Sequence, residues 1–127
     1  MRMSKQIYIT KADKDKLLEL IDKARDKEIR SLQNLKDLEA EIKRAEVIHY
    51  EDLPENIIGM NSSVVLVVDG VEEEMTLVYP EEADVRKNKI SVLSPIGTAI
   101  LGYSEGSTFE WKVPSGTVQI YVKKVNR

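Results

Sequence analysis

At 127 residues the chain has room for one domain, with or without an appendage, and its 42% hydrophobic and 32% charged content is that of a folded protein rich in charge. A net charge of −3 gives no basic bias, so stable nucleic-acid binding of its own through the phosphate backbone is not expected. With no cysteine and a single histidine, His49, the composition excludes a disulfide framework, thiolate metal sites, a cysteine nucleophile and a His-rich metal site. No apolar run reaches the roughly 18 residues of a membrane span, and the first residues lack a signal-like apolar core. No membrane association and a cytoplasmic location are therefore expected.

Residues 7–9 (Ile-Tyr-Ile) read as a short extended segment. Thr10 is a candidate N-cap, with Asp13 three residues later in the acid-favouring first turn. Residues 11–48 contain neither Gly nor Pro and are rich in strong helix formers. Their apolar set, Leu17, Leu18, Ile21, Ala24, Leu32, Leu35, Leu38, Ile42 and Ala45, recurs at spacings of three and four. That is a narrow stripe, wide enough to seat one partner helix. Two arrangements satisfy it: a single helix of about 38 residues, roughly 57 Å long, or an antiparallel hairpin of two helices of roughly 25–28 Å each. Glu28 falls where the stripe should continue, and Ser31 can cap a second helix. A lone long helix would also leave its stripe uncovered unless the chain oligomerises. The hairpin is the expectation, with its tip between residues 23 and 31, and helix two is expected to stop near Tyr50. Leu53-Pro54 follows, and the residue before proline avoids the helical region.

The period then changes. Residues 64–68 form a continuous apolar run, Asp69-Gly70 is a hairpin turn signal, and residues 74–79 return until Pro80 stops them. A polar loop covers residues 81–89. A short strand at 89–93 runs into Ser94-Pro95, with Ser94 as N-cap, Pro95 at the first helical position, and Gly102 where a short helix of Ile96, Ala99, Ile100 and Leu101 ends. Residues 108–113 and 117–125 alternate about a turn at Pro114-Ser115-Gly116. The expected fold is α+β: a short N-terminal antiparallel helical hairpin (a coiled coil) at residues 1–50, then an antiparallel, twisted sheet of about five strands at 51–127, its concave side plugged by one short helix.

No enzyme motif emerges. The glycines are spaced as turns and caps, not as a phosphate loop. His49 lies in a connector beside a helix end, where a cation suits the helix dipole and a general base does not. Glu72, Glu73 and Glu74 read as a solvated strand edge that discourages pairing. Trp111 reads as core. Asp26 and Glu28, at the expected tip, have two readings. They are a charged helical turn among Lys and Arg, or a pair of carboxylates that holds a hard, oxygen-seeking Mg²⁺ in another molecule's active site.

Taken together, these segments resemble the bacterial Gre transcript-cleavage factors and their relatives. Gly59-Met60-Asn61-Ser62-Ser63-Val64 is similar to the entry into their C-terminal domain, and Glu82-Ala83-Asp84 to their acidic loop. Ile90-Ser91-Val92-Leu93-Ser94-Pro95-Ile96-Gly97 with Ile100-Leu101-Gly102 resembles their signature. Val113-Pro114-Ser115-Gly116 is similar to a later turn that usually carries Gly-Gly after Pro. Met60-Asn61-Ser62 and Thr76-Leu77-Val78-Tyr79-Pro80 resemble the Rnk branch, named for regulation of nucleoside diphosphate kinase, as does the short first half. The resemblance implies an FKBP-like C-terminal fold. It implies docking on RNA polymerase at the rim of the secondary channel, through Asp84 and the turn of Ser94, Pro95, Ile96 and Gly97. The helices would point into the channel. Asp26 and Glu28 do not match the family's tip motif, so no catalytic role is carried across. The expectation is a monomeric, non-enzymatic regulator of transcription without cofactor or metal. The alternative is a cleavage factor that supplies Asp26 and Glu28 to the polymerase Mg²⁺ site. A prolyl isomerase, suggested only by the fold's name, has no aromatic-lined pocket here.

Overall fold

The computed structural model describes residues 7–25, 32–113 and 115–126. Asp26, Glu28, Ser31 and Pro114 lie outside the described residues. Strand β1 (Tyr8–Thr10) passes straight into helix α1 (Lys11–Arg25), which Thr10 caps by accepting the Asp13 N–H on Oγ1 at 3.2 Å. Helix α2 (Leu32–Arg44) packs against α1. The apolar stripe lies in the contact: Leu17, Ile21, Leu35, Leu38 and Ile42 are fully buried in one cluster. Each such side chain contributes about 1.5–3 kcal/mol by leaving water.

Helix α2 stops at Arg44, not near Tyr50. The Ala45 N–H still closes on Glu41 O, but the Glu46 N–H turns away to Ile7 O at 2.9 Å. Residues Glu46–Ile48 then form β2, parallel to β1 and in register Tyr8 with Glu46. A helix-compatible sequence is drawn into a strand because a partner edge stands ready beside it.

The main sheet has five strands, in the order β5-β4-β3-β7-β6. They are β3 (Ser63–Val68), β4 (Val71–Val78), β5 (Lys89–Ser91), β6 (Thr108–Val113) and β7 (Gly116–Asn126). Asp69 and Gly70 join β3 to β4 with φ of 49° and 84°, the two positive values that a two-residue hairpin of matching twist needs. The Asp69 carboxylate also accepts the Gln119 N–H at 2.8 Å. The expectation of a wholly antiparallel sheet needs correction, because β5 runs parallel to β4. The loop between them is long enough for a crossover and holds two 3-10 turns, Pro80–Glu82 and Val85–Lys87. Strand β5 covers only Thr76, Leu77 and Val78, so the acidic residues 72–74 project past it along an open edge. Glu72 reaches across β3 to pair with Lys123 of β7, which raises the lysine's pKa through a hydrogen bond and its charge.

Helix α3 (Pro95–Ile100) packs against α2 and β6. Val64, Leu66, Leu77, Ile120 and Val122 line the buried face of the sheet and share one core cluster with Ile100, Trp111 and the α1–α2 residues. Tyr103 stacks on Phe109 within it, ring centres 4.1 Å apart.

Three contacts tie the N-terminal elements to the C-terminal half of the chain. Gly102, at φ +85°, accepts the Tyr8 N–H on its carbonyl at 3.3 Å, and a Cβ there would lie 2.8 Å from that of Ile7. Only glycine fits this approach. Glu41 is 6% exposed, held by Arg44 at 2.9–3.2 Å, and Arg44 Nη2 also donates to the Tyr103 hydroxyl. The buried Tyr79, just past β4, donates its hydroxyl to Asp13 Oδ1 at 3.2 Å, while Lys16 Nζ sits 3.9 Å above its ring.

Candidate partner-binding site

The sequence-predicted residues Asp84, Ser94, Pro95, Ile96 and Gly97 gather around β5. Asp84 lies at its start: N–H and C=O of Asp84 and Lys89 bond to each other at 2.9 Å both ways. Ser94 lies at its end, where its hydroxyl donates to Ser91 O at 2.7 Å and its N–H donates to the same carbonyl at 2.9 Å. Lys89 and Ser91 are two residues apart, so the strand holds the loop and the turn roughly 7 Å apart.

Each predicted residue has a local task. Ser94 caps α3, its Oγ accepting the Gly97 N–H at 3.1 Å, and Pro95 occupies the first turn. Gly97 is buried, and a Cβ on it would run into the Ser91 carbonyl oxygen. Thr98 donates its hydroxyl to Val92 O at 2.9 Å, fastening the helix to the preceding turn. Ile96 and Pro95 are half-buried. Asp84 is half-buried too, and its Oδ1 accepts the Arg86 N–H at 3.0 Å, capping the turn Val85–Lys87. The surface left for a partner is the loop itself, with Glu81, Glu82, Val85, Arg86 and Lys87 exposed, and the half-buried apolar step of Leu93, Pro95 and Ile96.

Residue-level sequence reasoning did not find Tyr79. Burial pushes its phenol well above the ordinary value, reinforced by the negative charge of Asp13 and the hydrogen bond to it. Tyr79 immediately precedes the loop, so the loop's root is bonded to α1. Nothing local in the sequence signals a contact that joins residues 66 apart.

A cleft of about 680 Å³ opens between the start of α1, β2 and the connector at residues 53–61; it touches His49 and Met60 but none of the predicted site residues. Thr10 and Asp13, which also border it, are engaged in capping. Among the described residues, no three His, Cys, Asp or Glu side chains are grouped to hold a metal ion, and no helix is long and apolar enough to cross a membrane. Asp26 and Glu28 lie outside the described residues.

Comparison with known proteins divides along the same line as the architecture. Residues 53–127 match the family model for the transcription elongation factor GreA/GreB C-terminus. Residues 5–48 match the model for the Rnk N-terminus. Over 81 residues the chain is 36% identical to the regulator of nucleoside diphosphate kinase of Escherichia coli K12, covering 62% of this chain and 60% of that protein. Over 94 residues it is 37% identical to transcription elongation factor GreA of Dehalococcoides mccartyi, covering 72% of this chain and 60% of that one. The matches thus span 60% of the length of these curated relatives. A solved structure of a prokaryotic transcription elongation factor GreA/GreB from Nitrosomonas europaea superposes over 98% of this chain and 100% of its own, with TM-score 0.76 and 35% identity.

Proposed function

The chain belongs to the GreA/GreB transcription elongation factor family, with an Rnk-type N-terminus, and on that premise we propose that it binds RNA polymerase at the rim of the secondary channel and regulates transcription without stimulating transcript cleavage. The docking face is the loop carrying Asp84 together with the turn of Ser94, Pro95, Ile96 and Gly97, in an FKBP-like C-terminal domain of residues 51–127. Helices α1 and α2 form an antiparallel hairpin arm within residues 1–50 and enter the channel. The protein acts there as a monomer, in the cytoplasm where the polymerase works.

The observation that carries this reading is the pairing, in one chain, of a GreA/GreB C-terminal match with an Rnk N-terminal match. The geometry supports it in two ways. The turn at Ser94 is built by a cap, a proline and an obligatory glycine, so its backbone is presented in one shape. The helices have 15 and 13 residues, about 22 and 20 Å. An arm that short fits occupation of a channel better than delivery of carboxylates, which must hold a metal to within about half an ångström.

Sedimentation of the labelled chain with core RNA polymerase tests the docking: binding at micromolar concentration or tighter is expected, and none would overturn it. Arrested elongation complexes incubated with the protein and Mg²⁺ test the rest. Unshortened RNA is expected. Shortened RNA that disappears in the Asp26→Ala/Glu28→Ala double variant would replace the non-cleaving reading with that of a cleavage factor.

A further inference from the structure

We infer that Val85 is the apolar anchor by which the loop recognises the polymerase, and that Asp84 acts by positioning it; this rests on the docking face proposed above. Val85 is 90% exposed, ahead of Val71 at 61% and every other large hydrophobic side chain among the described residues. A solitary apolar side chain on a surface is ordinary. What distinguishes Val85 is how firmly its backbone is held. It opens the 3-10 turn Val85–Lys87. Before it, the Asp84 carboxylate accepts the Arg86 N–H, and the Asp84 backbone bonds twice to Lys89. After it, Asn88 adopts the left-handed conformation, φ 56°, and donates its N–H to Val85 O at 3.2 Å.

The turn is therefore closed at both ends and fastened to β5, and the two methyl groups of Val85 stand clear of it. A β-branched side chain has few rotamers to lose, so burying it against a partner costs little ordering entropy. Its neighbours Arg86 and Lys87 are exposed cations. Glu81 and Glu82, earlier in the same loop, are exposed anions. The surface that fits this loop is an apolar notch that sets carboxylates against Arg86 and Lys87 and cations against Glu81 and Glu82. Asp84 has a different part. One of its oxygens is committed to the turn, so losing the side chain loosens the support of Val85.

The test is a titration of the full chain against core RNA polymerase, wild type beside three variants. Val85→Asp should weaken binding at least about tenfold, with unchanged circular dichroism and thermal midpoint because the side chain is exposed. Asp84→Ala should weaken it about fivefold, and Asp84→Asn should restore it, since an amide oxygen caps as well as a carboxylate. Wild-type protein that fails to bind overturns the docking proposal and this inference with it. Wild-type binding matched by Val85→Asp leaves docking standing and overturns the anchor. Asp84→Asn as weak as Asp84→Ala overturns the positioning role, because the charge itself would then be what the partner reads.

Discussion

At the scale of single residues, the signature around Ser94 is foremost a folding device. Ser94→Ala removes the cap of α3 and should cost about 1 kcal/mol, while Ser94→Thr keeps a hydroxyl that can both accept and donate and should cost much less; urea denaturation of both variants reads the difference. Gly97→Ala pushes a methyl group into the Ser91 carbonyl and should cost about 1–3 kcal/mol in the same measurement. Tyr79 makes a prediction in pH. Its phenol is raised by burial and by Asp13, so the folded state holds the proton after the unfolded chain, titrating near 10, has released it. The unfolded state then binds fewer protons, and stability falls as pH rises above about 10, by up to roughly 1.4 kcal/mol per pH unit. Below that pH the contribution is fully present. Tyr79→Phe should flatten the alkaline limb of the stability curve, read by urea denaturation at pH values on either side of about 10.

At the scale of elements, the α1–α2 contact rests on a few side chains, so Leu38→Ala should cost about 2–5 kcal/mol in chemical denaturation. Which elements could be read beforehand depends on where their determinants lie. Thr10, Asp69-Gly70 and Ser94-Pro95 announce a cap, a hairpin and a capped turn because the atoms that satisfy them are within three residues or in the turn itself. The end of α2 is different. Ala-Glu-Val-Ile suits a helix by composition, and the edge of Ile7 and β1, brought alongside by the fold, makes it β2. The parallel pairing of β5 was hidden for the same reason, since a strand's apolar pattern does not state which direction its neighbour runs. In the candidate site, Asp84 and Ser94 could be singled out by resemblance, but the exposure of Val85 and the bond from Tyr79 to Asp13 are properties of the folded surface.

At the scale of the whole molecule, helices and sheet share one apolar cluster, and partly buried hydrogen bonds join the helices to segments beside the sheet. Thermal unfolding followed by helical circular dichroism and by fluorescence of the single tryptophan, Trp111 of β6, should therefore give coincident transitions. A helical signal lost several degrees before the fluorescence would show that the helices melt on their own. Trp111 suits the experiment because the sheet edge it occupies faces α2 across a small cavity shared with Asp37 and Ala40.

The bond between Tyr8 and Gly102 also orders events in time. Residue 8 is made well before residue 102, and the carbonyl that receives the Tyr8 N–H does not exist until then. At roughly 5–20 residues per second on the ribosome, β1 can find its partner β2 several seconds before this second anchor exists. The seam between β1 and the signature thus closes late, and a nascent chain should leave Ile7 and Ile9 accessible to chaperones until the signature has been synthesised.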